Sequence, residues 1–487
     1  MTSRRLILLA GLFALAAPAR ADVKLHPLFT DQMVLQRDAE CPVWGTAAPG
    51  EKVTVTLAGP EGKATVVEAT ADDKGAWKAT LPKAAAGTGF TLTAKGANEV
   101  SVTGVAVGDV WVCSGQSNME WPVNASYDAE KVKAAAKNPN VRLFTVQKRT
   151  APAPIADMGD LKHFTRWSES GPDTVGGFSA VAYHFGTTLQ KGIGVPVGLI
   201  HTSWGGTPAE AWASTPALAA VPELAYYADR AKTAKADKKG NLGPNVPGVL
   251  YNAMIHPLLP FAIKGAIWYQ GESNAGRAAE YRTLFPAMIK DWRAKWGSDF
   301  PFYCVQLAPW HAGDADGVQW PELREAQLLA TKTLPNVGMA VITDAGDLFD
   351  IHPRDKVTPG TRLARAALAQ TYGKKGPGTG PAFKELKLDG DKAIVTFDSV
   401  GGGLVNRYGN NPTVNGFEVC GDDQVFYPAK ARIAGETVVV SSDRVAKPVA
   451  VRFGWKNYPV TSLFNREGLP ASPFRTDDFP LTTAPKK

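Results

Sequence analysis

Short runs in which apolar and polar residues alternate occupy the chain from Asp22 to about Gly104, as in Lys52-Val53-Thr54-Val55-Thr56-Leu57 and Gly89-Phe90-Thr91-Leu92-Thr93-Ala94. Pro-Gly, Gly-Pro and Asp-Lys-Gly turns separate them. A period of two puts one face of each run in a core and the other in solvent, so residues 22–104 predict an antiparallel β-sandwich module. From about Val105 to Lys375 the pattern changes. Runs that are apolar throughout (Val110 to Cys113, Val197 to Ile200, Gly265 to Tyr269, Phe302 to Leu307, Val337 to Thr343) alternate with helix-like segments such as Ala279 to Trp296 and Pro321 to Thr333. Strands buried on both faces and separated by helices predict an α/β domain over 105–375, a parallel sheet flanked by helices. Beyond the Gly/Pro-rich stretch Gly373 to Pro381 the alternation returns, in Ala393 to Phe397, Glu436 to Val440 and Val449 to Phe453, and predicts a C-terminal β region over 376–487.

Ahead of these modules, Arg4-Arg5 precedes the apolar run Leu6 to Ala17, and Ala19-Arg20-Ala21 supplies a small-x-small cleavage pattern. This predicts a signal peptide over 1–21 and a mature chain, periplasmic or secreted, beginning at Asp22. The run falls short of the roughly 20 apolar residues that span a bilayer, so no membrane partner is expected. Composition adds little beyond this: 487 residues, 44% hydrophobic and 20% charged, describe a globular multidomain chain. The formal charge of +7 is spread without a Lys/Arg block, so no nucleic acid is expected. Cys41, Cys113, Cys304 and Cys420 are dispersed, allow at most two disulfides and form no C-x-x-C pair of a zinc or redox site.

In an open parallel sheet, ligands meet the carboxyl ends of the strands. Four strand ends carry unusual polar sequences: Cys113-Ser114-Gly115-Gln116-Ser117-Asn118, His201-Thr202-Ser203-Trp204-Gly205-Gly206-Thr207, Trp268-Tyr269-Gln270-Gly271-Glu272-Ser273-Asn274, and Asp347-Leu348-Phe349-Asp350-Ile351-His352-Pro353. A serine in a turn, glycines with approachable N–H groups, an amide and an Asp/His pair are the parts of an acyl-transfer site. Each alone is more often a simple turn; together they point to nucleophile, oxyanion donors, base and orienting acid. Only seven histidines exist. His184 lies in an apolar helix-like stretch and reads as core, while His201 and His256 flank element ends. G-x-S-x-G, H-E-x-x-H, G-x-x-x-x-G-K-[ST] and G-x-G-x-x-G after a strand are all absent, so metal, phosphate and dinucleotide chemistry lack support.

These blocks resemble the sialate O-acetylesterase family of SGNH-type serine esterases. The resemblance rests on Gly108-Asp109-Val110-Trp111 leading to Ser114 through Glu120, on Trp204-Gly205-Gly206-Thr207, on Ile267 through Asn274, on Leu323-Arg324-Glu325-Ala326-Gln327 and on Asp350-Ile351-His352-Pro353-Arg354, with flanking matches at Val34 to Arg37 and Asn465 to Pro470. It implies Ser117 as nucleophile, His352 as base and Asp350 as its partner. It implies an oxyanion hole from the Ser117 N–H, a glycine N–H at Gly205 or Gly206, and the Gln270 side chain. It implies no cofactor and no metal. Two departures from the SGNH pattern stand out: Gly-Gln-Ser replaces Gly-Asp-Ser, and the acid precedes the histidine by two residues where three is usual, leaving Glu272 and Asp347 as alternatives to Asp350. Asn274 stands as a supporting residue. Arg277 is a candidate partner for a sugar carboxylate, although a solvated arginine at a helix start is the commoner role. Trp111, Trp121, Trp204, Trp268 and Trp310 follow the strand ends as core or as sugar-stacking rim. The resemblance thus implies an esterase for O-acetylated sugars. A deacetylase of polysaccharides such as acetyl-xylan, and a carbohydrate-binding protein with a vestigial site, are the other readings.

Overall fold

A computed structural model describes residues 22–158, 166–314 and 316–484. The expected signal peptide and His163 lie outside them.

The central domain is a seven-stranded sheet. In chain order its strands are β1 (Glu99–Gly115), β2 (Asn138–Thr145), β3 (Ser168–Ser170), β4 (Val197–Ser203), β5 (Gly265–Tyr269), β6 (Phe302–Val305) and β7 (Val337–Ala340). Across the sheet the order is β3-β2-β4-β1-β5-β6-β7, all parallel except the antiparallel edge strand β3. Within this sheet β1 comes first, β2 and β3 follow on one side, β4 returns to insert between β2 and β1, and β5 to β7 then build on the other side. β1 is therefore the switch point, where helices leave to opposite faces and a crevice opens.

Apolar residues along each strand serve both faces. Val110 and Val112 of β1, with Trp268 and Phe302, pack under helices α3 (Ala278–Trp296) and α4 (Gln319–Thr333). Trp111 and Cys113, with Ile267 and Tyr303, pack under α2 (Ala180–Ile193) and α5 (Val357–Gln370). This two-sided burial is why these strands read as continuous apolar runs. Trp111 and Trp268 are fully buried and belong to these cores.

The N-terminal module pairs Lys24–Leu25, Cys41–Thr46 and Ala76–Leu81 in one antiparallel sheet, and Lys52–Ala58 with Ala64–Thr70 and Gly87–Lys95 in another. Gly87–Lys95 pairs in turn with the first half of β1. The boundary expected at 104/105 thus falls inside one 17-residue strand shared by both modules. Burial changes there from alternating to continuous, and the sequence pattern marks that change in environment without a break in the chain.

The C-terminal region adds sheets of five, four and two strands around its own core, which includes Val395, Phe417, Val438 and Phe453. Helix α4 fastens it to the central domain. The fully buried Arg324 guanidinium donates to the carbonyls of Leu307, Ala308, Lys456 and Asn457. With carbonyls alone as partners, burial pushes it down to about 9. The Glu322 carboxylate accepts four hydrogen bonds from Thr482 and Thr483. The bond from Trp310 N–H to Asn457 O then braces the segment after β6, whose His311 N–H in turn holds Leu348 O. All four cysteines are free and buried, so none of the allowed disulfides forms.

Candidate active site

Ser117 begins the single-turn helix α1 (Ser117–Glu120) directly after β1. Gly115 makes the exit possible, because at φ +144° an added Cβ would lie 2.2 Å from Tyr269 O. Gln116, the departure from Gly-Asp-Ser, explains itself here: its Oε1 accepts from the Gly271 and Ser273 N–H groups at 3.4 and 3.3 Å and ties this turn to the one after β5. On the far side, Ser179 caps α2 and donates to Met119 O at 2.6 Å, which fixes α1 in place.

His352 Nε2 lies 2.8 Å from Ser117 Oγ. Its ring stacks on Trp121, centroids 5.2 Å apart at 19°. Burial first, and the Lys356 charge second, hold this imidazole below its ordinary range against the pull of Asp350, so it is neutral at pH 7 and able to accept a proton. The remaining described histidines are held elsewhere or buried away. His201 Nε2 bonds Ser203 Oγ at 2.6 Å, and His256 Nδ1 meets Ile155 O at 2.8 Å. His184 is half-buried on α2 against Gly360 of α5, and burial pushes it down to about 4.

Asp350 lies near His352 but is held loosely. Its Oδ1 is 3.8 Å from His352 Nδ1, beyond hydrogen-bond range, and accepts instead from the His352 backbone N–H at 2.8 Å. Half of its side chain is exposed. Asp347 shapes the loop, accepting from the Phe349 and Asp350 N–H groups. Glu272 is half-buried and bonded to Asn118 Nδ2 at 2.6 Å.

That bond belongs to a network for which the sequence offered only the Ser-Asn dipeptide. Asn118 Nδ2 also donates to Ile351 O at 3.1 Å, and its Oδ1 accepts from Lys356 Nζ at 2.6 Å. Asn118 thus joins α1, the turn after β5 and the loop that carries His352. Lys356 is 1 % exposed, and burial pushes it down to about 7 although Glu272, Asp355 and Asp350 pull the other way. Burial likewise raises Glu272, opposed by its hydrogen bonds and by Lys356. Nothing in the run Pro353-Arg354-Asp355-Lys356 signals a buried lysine.

Three residues singled out from the sequence carry competing partners in the structure. Gln270 is fully buried, and both ends of its amide are engaged: Nε2 donates to Asn274 Oδ1 at 2.7 Å and Oε1 accepts from Tyr281 OH at 2.8 Å. It does not line the crevice around Ser117, so a position after the strand did not aim it there. Gly205 does lie against Ser117, since a Cβ on it would stand 3.3 Å from Ser117 Cβ, but its N–H already donates to Glu120 Oε2 at 2.6 Å. Arg277 is engaged by Glu210 at 2.9 Å and Glu280 at 3.1 Å, with Tyr227 beside it, so its charge is neutralised within the fold. Asn274, the supporting residue, bridges Gln270, Ala209 N–H and Glu210.

The crevice itself is open and about 350 Å³, with Ser117 and His352 at its base and Trp121, Trp204, Glu120 and Lys148 among its walls. A hydroxyl bonded to a neutral imidazole in such a crevice is equipped for acyl transfer to and from oxygen. Similarity to known proteins shows the class: the protein is a carboxylic ester hydrolase. Residues 107–369 match the family model described as "carbohydrate esterase, sialic acid-specific acetylesterase". The sialate O-acetylesterases of Homo sapiens and Pongo abelii are each 32% identical, over 91% of this chain and 90% of theirs. A carbohydrate acetylesterase from Xanthomonas citri superposes with a TM-score of 0.85 at 42% identity, covering 94% of this chain and 100% of its own. The chain belongs to the sialic acid-specific acetylesterase family of carbohydrate esterases. Among the described residues no cluster fit to hold a metal ion occurs, and no helix is long and apolar enough to cross a membrane.

Proposed function

We propose that the protein removes O-acetyl groups from sialic acids through an acetyl-enzyme on Ser117, and that it does so after export, with residues 1–21 removed. The observation that carries this reading is the 2.8 Å contact between Ser117 Oγ and His352 Nε2 in an open crevice of this family's sheet. We read that sheet as SGNH-type.

In the proposed reaction His352 Nε2 takes the Ser117 proton as Oγ attacks the acetyl carbonyl. The negative charge that develops on the carbonyl oxygen meets the Ser117 N–H, which as the first residue of a helix has no acceptor one turn back, and the neighbouring Gly205 N–H. Collapse breaks the ester bond, and the sugar oxygen leaves with the proton carried by His352. Water, deprotonated by the same imidazole, then releases acetate and restores the serine. No step calls for a cofactor or metal. Trp121 and Trp204 offer apolar walls suited to sugar faces.

A second reading has its own support. The Xanthomonas citri relative is a carbohydrate acetylesterase, and a neutral polysaccharide such as acetyl-xylan is the alternative leaving group. Acetate release from O-acetylated sialic acid and from acetyl-xylan, by wild type and Ser117→Ala, tests both. The first reading expects faster release from the sialic acid and loss of at least about 10⁴-fold in kcat in the variant. The reverse preference would favour the polysaccharide, and a Ser117→Ala enzyme that still turns over would overturn the serine mechanism. A periplasmic or secreted product whose N-terminus is Asp22 would establish export.

A further inference from the structure

Glu120 is in an unexpected place. It follows Ser117 by three residues, hence on the same side of α1, and its Oε2 accepts from Gly205 N–H at 2.6 Å. Gly205 is packed directly on Ser117. A full negative charge therefore sits on the donor that an acyl-transfer oxyanion requires. The other carboxylate oxygen is ion-paired with Lys148, whose ammonium also lies over the Trp204 ring, 5.5 Å from its centroid. Glu120 and Lys148 are each about a third or more exposed, and both line the crevice. Each is thus free to exchange partners with a ligand.

From this geometry we infer that Glu120 is a latch on the oxyanion hole, held by Lys148, and that an anionic substrate opens it. The inference rests on the serine-esterase reading above. With the latch closed, an incoming carbonyl oxygen finds the Gly205 N–H occupied and a carboxylate beside it, so developing charge is opposed where it should be stabilised. A carboxylate on the sugar competes with Glu120 for Lys148, and repulsion between the two anions favours the arrangement in which Glu120 turns out to solvent. Gly205 N–H is then free for the oxyanion. Differential interaction of the substrate with the two arrangements is what shifts the population. Glu120 is on this account a positioning residue, acting through Gly205, and Lys148 is the residue that senses substrate charge.

The test compares p-nitrophenyl acetate, which is neutral, with an O-acetylated sialic acid, on the full chain. Glu120→Ala should raise kcat/KM for the neutral ester by about tenfold, the relief expected if the open arrangement is a minor state near one-tenth, with unchanged Tm. Glu120→Gln, which keeps an uncharged acceptor for Gly205, should give a smaller rise and serves as the decisive variant if the alanine variant folds poorly. A merely structural role for Glu120 would lower activity and Tm together. No rise in either variant overturns the latch. Lys148→Ala should reduce the preference for the sialic acid over the neutral ester by about tenfold, and an unchanged preference overturns the charge trigger. Ser117→Ala assayed alongside separates the two levels: if it is inactive while Glu120 variants behave as wild type, only the latch fails, and if it stays active the serine reading fails first.

Discussion

Two polar clusters lie at the ends of neighbouring strands, and they differ in what they leave unsatisfied. After β5, Gln270, Asn274, Glu210, Arg277 and Tyr281 form a closed circuit in which the Gln270 and Asn274 amides and both Glu210 oxygens carry partners. After β1, Ser117 and His352 share one contact at the base of an open crevice, and the imidazole is loosely held on its other side. The residue types are equally suited to catalysis in both places. A saturated buried network rigidifies the scaffold, whereas chemistry needs groups with bonding capacity left over for a reacting molecule. Asn118 stands between the two, saturated itself and holding the loop that presents His352.

The contrast can be broken from either side. The largest effect belongs to the open cluster: His352→Ala should lower kcat by about 10³- to 10⁴-fold while Tm stays at the wild-type value, measured by acetate release and thermal denaturation. The closed cluster should answer in the opposite currency. Gln270→Ala leaves the Tyr281 OH without its acceptor and removes one of the two donors to Asn274 Oδ1 in a fully buried site, so denaturant titration should show a loss of about 2–4 kcal/mol with kcat per folded molecule near normal. A hundredfold loss in kcat at unchanged stability would instead restore Gln270 as an oxyanion donor.

Smaller effects sharpen the boundary of the open cluster. An orienting acid hydrogen-bonded to its histidine is worth about 10⁴ in kcat. Asp350 stands 3.8 Å from His352 Nδ1 and is half exposed, so Asp350→Asn should cost only about tenfold. Lys356→Met should show most clearly in the pH profile. The lysine, itself pushed down to about 7, is charged in the acidic range where it disfavours a proton on His352. Removing it lets the imidazole hold its proton to higher pH, so the acid limb of kcat/KM should move upward. An acid limb that stays in place would show that the network positions the loop without tuning His352.

Much of this was legible in order of residues. The switch from alternating to continuous apolar runs located the parallel sheet, because strands covered by helices on both faces cannot afford alternate polar positions. The same switch misled at Gly104, where the environment changes along a strand that does not end. Ser117 and His352 stood out through their place after strands. Lys356 did not, because burial of a lysine depends on what packs over it, here Trp121 and Tyr269 contributed from distant parts of the chain.

The class of fold, the family and the two residues that meet across 235 positions of chain are all readable from the order of residues alone. Those follow from local pattern and from motif blocks in a given order, both properties of a string. It took folding to turn the Gln270 amide away from the crevice, to neutralise Arg277 and to set a glutamate on the Gly205 N–H beside Ser117. Hydrogen-bonding capacity is shared among groups that meet only on folding, so whether a side chain is free to act cannot be read until its partners are in place.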